Sequence, residues 1–139
     1  MFVKYAFLAE SVSFDVTGKM SAIGIFEVIN ALKFPALQLN MHLVVNLEGT
    51  IGEKGDHAIS IELRDRDGNR LMPPFEQKLT MGAPTITHGV LRAGLVLKVQ
   101  AVKFLKAGQY EFVVFADDRF LHRITFEVQQ VRVALQGEA

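Results

Sequence analysis

The sequence predicts an all-β fold: one antiparallel β-sandwich, Ig-like or jelly-roll-like with Greek-key connections, of about seven to nine strands. Three observations carry this. Apolar and polar residues alternate with period two in segment after segment, turn residues separate those segments, and no window keeps a helical period over three turns. The chain of 139 residues is half hydrophobic, enough for one real core and no more, so it reads as a single domain over 1–139 with an ordered core from about residue 2 to 133.

The elements follow in order. Phe2–Glu10 is apolar on both faces, and Val12, Phe14 and Val16 then alternate with Ser13 and Asp15. Thr17-Gly18-Lys19 turns the chain. Met20–Ile29 resumes as one strand, and Gly24 within it marks a bulge or a close backbone approach. Phe34-Pro35 interrupts pairing, since proline brings no amide proton; Ala31–Leu37 has room for a single helical turn. Leu39–Glu48 is amphipathic, with Leu39, Met41, Leu43, Val45 and Leu47 on one face and Val44 the exception on the other. Gly49–Asp56 is a loop.

His57–Arg66 sends Ile59, Ile61 and Leu63 inward, and Asp67-Gly68 suits a tight hairpin. Asn69–Met72 begins a return that Pro73-Pro74 confines to an edge; Phe75–Met81 is a short strand and Met81–His88 a loop. Gly89–Phe104 alternates over its length, with a phase change near Val102–Phe104 of the kind a bulge produces. Gly108–Val128 closes the fold as a hairpin around Asp117-Asp118, and the tail after Val133 frays. The inner faces should hold Leu43, Val45, Leu47, Ile59, Ile61, Leu63, Leu95, Leu97, Tyr110, Phe112, Ile124 and Phe126.

Composition narrows the function. Fifteen basic and fifteen acidic residues cancel, and no basic block stands out, which argues against nucleic acid and anionic membranes as partners. No apolar run approaches the roughly 20 residues that span a bilayer, and the N-terminal segment reads as a strand rather than a signal peptide. Without cysteine there is no disulfide, thiolate metal site or cysteine nucleophile; the composition fits a cytoplasmic protein.

Catalytic signatures are absent: no nucleophile elbow, phosphate loop or dinucleotide fingerprint occurs. The expectation is therefore no enzyme and no cofactor, a dispersed carboxylate or histidine site being the minor reading. Glu48, Glu62, Glu76, Glu111 and Glu127 supply carboxylates, but nothing singles out two of them. His42, His57, His88 and His122 show no ligand spacing, and a satisfied or solvent-reaching role is expected for each. Asp65, Asp67 and Asn69 invite calcium, alone or jointly with Asp117 and Asp118 at the loop ends, although the spacing is not that of an EF-hand and Asp67-Gly68 is explained by the turn alone. Eleven phenylalanines without a tryptophan favour core over a sugar or RNA platform.

The remaining signal is surplus apolar surface. Phe2–Leu8 and Ile23–Ile29 are apolar on both faces, whereas an antiparallel sheet normally turns one face to water. Either Ala31–Leu37 covers the second face or another subunit does. The candidate contact residues are Tyr5, Phe7, Ile23, Ile25 and Phe26.

Four stretches, Val3–Ile29, Phe34–Gly49, His57–Asn69 and Ala107–Val128, follow one another with a Tyr-Ala first strand, an Ile-Gly-Ile-Phe strand and a Gly-x-Tyr-x-Phe final hairpin. In that order they resemble a family of small uncharacterised bacterial β-sandwich proteins. The resemblance implies the sandwich and no known site; Asp117-Asp118 stands where such proteins often have Asp-Gly. The function expected is a non-enzymatic protein-interaction or assembly module, with a partner protein or a second copy. A small-ligand, carbohydrate or calcium-binding sandwich is the alternative.

Overall fold

A computed structural model describes residues 1–82 and 89–132, and the main chain alone at residue 39. Among these residues nine strands form: β1 (Phe2–Phe14), β2 (Met20–Phe26), β3 (Val28–Ala31), β4 (Ala36–Gly49), β5 (Gly55–Asp65), β6 (Phe75–Met81), β7 (Leu91–Phe104), β8 (Gly108–Ala116) and β9 (Arg119–Gln130). One sheet has the order β2-β1-β4-β7 and the other β3-β9-β8-β5-β6. Their inner faces share one core, so the architecture is all-β and sandwich-like. Of the twelve residues expected inside, ten are buried; Leu97 and Ile124 are partly buried against the same core. Phe104, Tyr110, Phe112 and Phe126 pack ring to ring at its centre, with centroids 4.8 to 5.9 Å apart.

One pairing departs from the antiparallel expectation. β3 runs parallel to β9, from Val28 opposite Glu127 to Ala31 opposite Gln130. The cause is that Met20–Ile29 is not one strand: the chain leaves the first sheet after Phe26 and enters the second at Val28. A strand that changes sheets keeps its direction, so its pairing sense is set by the neighbour it lands beside.

Two paired kinks shape the first sheet. At Ala101 (φ 55°) the buried positions of β7 change from odd (Leu91, Leu95, Val99) to even (Val102, Phe104). This is the expected phase change, but not by a one-strand bulge. β4 and β7 stay matched residue for residue from Ala36 opposite Phe104 to Gly49 opposite Leu91, so both strands change face together. The second kink lies at Gly24 (φ 69°), and there too the register is unbroken from Leu8 opposite Phe26 to Phe14 opposite Met20. Beyond it β1 has left β4 and pairs with β2 alone.

Residues 11–23 thus form a two-stranded arm, and the arm folds back. Phe14 and Tyr5 are nine residues apart, about 30 Å along a straight strand, yet they line one cavity together with Met20, Val44 and Val96. The arm brings Phe14 and Met20 over the outer face of its own sheet. His42, on that face, donates from Nδ1 to the Glu10 carbonyl at 3.1 Å and ties down the base of the arm. This corrects the expected cover. Residues 31–37 instead close one end of the sandwich, where Leu32, Pro35 and Leu37 line a cleft with Ile29 and Phe104. They hold no helical turn; the one helical turn among the described residues is of 3-10 type at Ile51–Glu53, inside the segment expected to be loop.

Candidate interaction surface

The arm is poor in charge. Between Glu10 and Glu27 only Asp15 and Lys19 are ionisable, and both sit at the tip. There Asp15 accepts from the Thr17 and Lys19 amides and the Thr17 hydroxyl, and these bonds hold its carboxyl below the usual carboxylate range. Phe14, Val16 and Ile23 are exposed along it and Ile25 at its base, Ile23 and Ile25 by 66% and 61%.

The five expected contact residues are not gathered in one patch. Tyr5 and Phe7 stack at 6.2 Å on the outer face of β1, and Ile25 joins that face opposite Ala9. Ile23 lies beyond the Gly24 kink on the arm. Phe26 is half-buried: it stands opposite Leu8 and packs against the core, because alternation turns it inward. Sequence periodicity alone missed Phe14, whose face changes sides at the kink.

The outer face of the second sheet is built differently. Glu62 is only 5% exposed, yet ionic: Arg64 Nε donates to it at 2.7 Å, and the Arg64 and Arg70 guanidinium groups both pair with it. Burial pushes its carboxyl up, but the hydrogen bond and charge of Arg64, with those of Arg70, outweigh burial and hold it below the usual range. Val113, opposite Glu62, is buried outside the main core. Arg64 lies over the Phe115 ring at 5.7 Å and Arg123 over Phe120 at 5.4 Å, while Arg123 pairs with Glu111 at 2.7 Å.

A polar cleft of about 640 Å³ opens beside the Asp117-Asp118 turn. The register that sets Ile59 opposite Ala116 brings His57 to Asp117. His57 Nδ1 donates to Asp117 at 2.6 Å and Nε2 to the Glu53 carbonyl at 2.6 Å. Both partners are acceptors, so both ring nitrogens carry protons. The Asp117 bond, then the Glu53 bond, raises the His57 pKa above 6.5, and Asp117 is lowered in return. With both ring nitrogens engaged, the pair joins two strand ends as a clasp. In the same cleft Asp56 is held by Thr80 and Lys78.

The calcium candidates are split. Asp65 accepts from the Asp67 and Asn69 amides and the Asn69 side chain, closing its own turn. Asp117 accepts from the Ala58 amide, seven residues back along β5 from Asp65, about 20 Å away. The joint site of Asp65, Asp67 and Asn69 with Asp117 and Asp118 is therefore not assembled, and among the described residues no three acidic or histidine side chains cluster to hold a metal. His88 and most of the Met81–His88 loop lie outside the described residues. No helix among the described residues is long and apolar enough to cross a membrane.

These features define a two-sheet all-β protein with a folded-back arm and a polar cleft beside the Asp117-Asp118 turn. Residues 4–129 match the family described as a family of unknown function, DUF6941, and the chain belongs to it. No match was found among curated proteins. Among solved structures the chain is similar to a Pseudomonas fluorescens alkylpurine DNA glycosylase, AlkC, bound to DNA containing an abasic site analog (14% identity, TM-score 0.46, 74% of this chain and 28% of that one). It is also similar to a Listeria innocua beta-glucosidase in complex with glucose (12% identity, TM-score 0.49, 93% of this chain and 16% of that one). The chain thus spans less than a third of either protein.

Proposed function

We propose that this protein is an Ig-like sandwich that works as a cytoplasmic protein-interaction or assembly module, docking through the β1–β2 arm. The Ig-like reading rests on topology: β1-β4-β7 facing β9-β8-β5-β6 follows the A-B-E facing G-F-C-C′ order of such domains. Tyr110, near the start of β8, donates its hydroxyl to the Lys106 carbonyl at 2.6 Å, as a corner tyrosine does there. In this reading β2 and the arm are an insertion between the two halves of the first Ig strand.

The observation that carries the docking role is the exposure of Phe14, Val16 and Ile23 on an arm whose only charges are at its tip, with Ile25 exposed at its base. Apolar anchors within a contiguous exposed element are the usual core of a binding surface. The test is solution mass by sedimentation over a concentration series, run beside affinity capture with the native chain as bait. Ile23→Lys with Ile25→Lys should weaken self-association or capture by at least about tenfold, as loss of central anchors does. A monomer with no captured partner, or association untouched by the double variant, rejects the reading.

A further inference from the structure

We propose that the cavity under the folded-back arm binds a small, flat, uncharged molecule with one hydrogen-bonding edge, such as an aromatic amide. The proposal does not rest on the docking role. The cavity measures about 390 Å³, within the range of small-molecule sites. Its walls are Tyr5, Phe14, Met20, Val44 and Val96, and no charged side chain lines it. No charged partner waits there for an ion, so a neutral occupant is favoured.

Two polar and steric details give the site its shape. Asn46 lines the cavity, and its side-chain amide makes no hydrogen bond to a described residue; it offers a donor and an acceptor side by side. Gly94 stands opposite Asn46 in the interior of β7. Its backbone is not left-handed, so conformation does not demand a glycine. A Cβ there would meet only Asn46 Nδ2 at 3.4 Å and the Val45 carbonyl at 3.7 Å, with no atom of the arm within 4 Å. The arm leaves the space over Gly94 open. A glycine inside a strand that faces open space under a lid marks a place of close approach, and here a ring can lie on the bare backbone. Tyr5 and Phe14 supply the aromatic walls, and Asn46 meets the edge.

The experiment uses benzamide as probe, with toluene (no polar edge) and benzoate (same shape, charged) beside it. Binding is read from the backbone amide of Gly94 and the side-chain amide of Asn46 by ¹H–¹⁵N NMR titration. Benzamide should shift both signals saturably and bind at least about fivefold tighter than toluene or benzoate, since an unmet polar edge or a desolvated charge is penalised. Gly94→Val should abolish the shifts by filling the floor. Asn46→Leu, which keeps the floor open, should bring benzamide down to the affinity of toluene. The proposal is overturned by no saturable shift in the native chain, by benzoate binding as tightly as benzamide, or by benzamide binding unchanged in a folded Asn46→Leu protein.

Discussion

The two sheets turn unlike outer faces to solvent. On the β5-β8-β9 side, Val113, Phe115 and Phe120 point outward, yet each has a cross-strand or diagonal neighbour that roofs or engages it. Glu62 is clamped by two arginines, and Arg64 and Arg123 lie over the two rings. On the β1–β2 side Tyr5, Phe7 and Ile25 point outward and no arginine lies over the rings of Tyr5 and Phe7; the arm folds over part of that face instead, and its ion pairs gather at Glu48, which holds Lys4 and Arg92 at 3.1 Å each. Outward apolar residues alone therefore do not mark a docking surface. What separates the two faces is whether a long cation stands opposite, with its stem to cover the hydrocarbon and its head to pair.

Substitutions can break this contrast. Glu62→Ala should be the most costly: it leaves two arginines facing a buried position and should lower unfolding free energy by about 2 kcal/mol, well short of a fully buried pair because both arginines reach solvent. Ile25→Lys on the other face should change it by less than about 0.5 kcal/mol. Urea melts of the two variants decide, and equal costs would erase the distinction. Next in size, Gly24→Ala should cost about 1 kcal/mol, since alanine resists a φ of 69°. Its Cβ would also meet the Glu10 side chain at 2.9 Å, but that chain is exposed and can swing away. Proteolysis at the arm should quicken in this variant before global stability falls far.

The smallest effect concerns pH. The folded-state pKa of His57 is raised, so its contribution is complete below its unfolded value of 6.5 and is lost as pH rises through the folded value. Asp117 is lowered, so its contribution is present above 3.8 and fades as pH falls through its folded value. Urea midpoints of the native chain should therefore drop as pH climbs past the folded pKa of His57, and His57→Gln should flatten that limb. A native profile that rises over the same window would refute the clasp.

The strand pattern was legible wherever one residue's surroundings decide its place. Leu43, Val45 and Leu47 alternate because one side is core, and Asp117-Asp118 adopts φ of 50° and 64° because a two-residue hairpin demands it. Membership of a family of unknown function was legible too. What escaped depends on distant partners. Glu27 carries no local sign that the chain changes sheets there, since both halves are equally strand-like. β3 finds β9 across a span such as Asn30 to Gln129, 99 residues. The clasp of His57 and Asp117 escaped for the same reason. The face change at Gly24 gave a hint in the glycine itself, but the direction of the fold-back needs the sheet beneath it.

The division of strands between sheets also orders events during synthesis. Every strand of the β2-β1-β4-β7 sheet lies before residue 105, whereas β8 and β9, in the middle of the other, come last. A nascent chain can thus complete its first sheet while that sheet's inner face, with Met41, Leu43 and Phe104, still lacks Tyr110, Phe112 and Phe126. Until the final hairpin leaves the ribosome, that uncovered layer is the surface a chaperone would find.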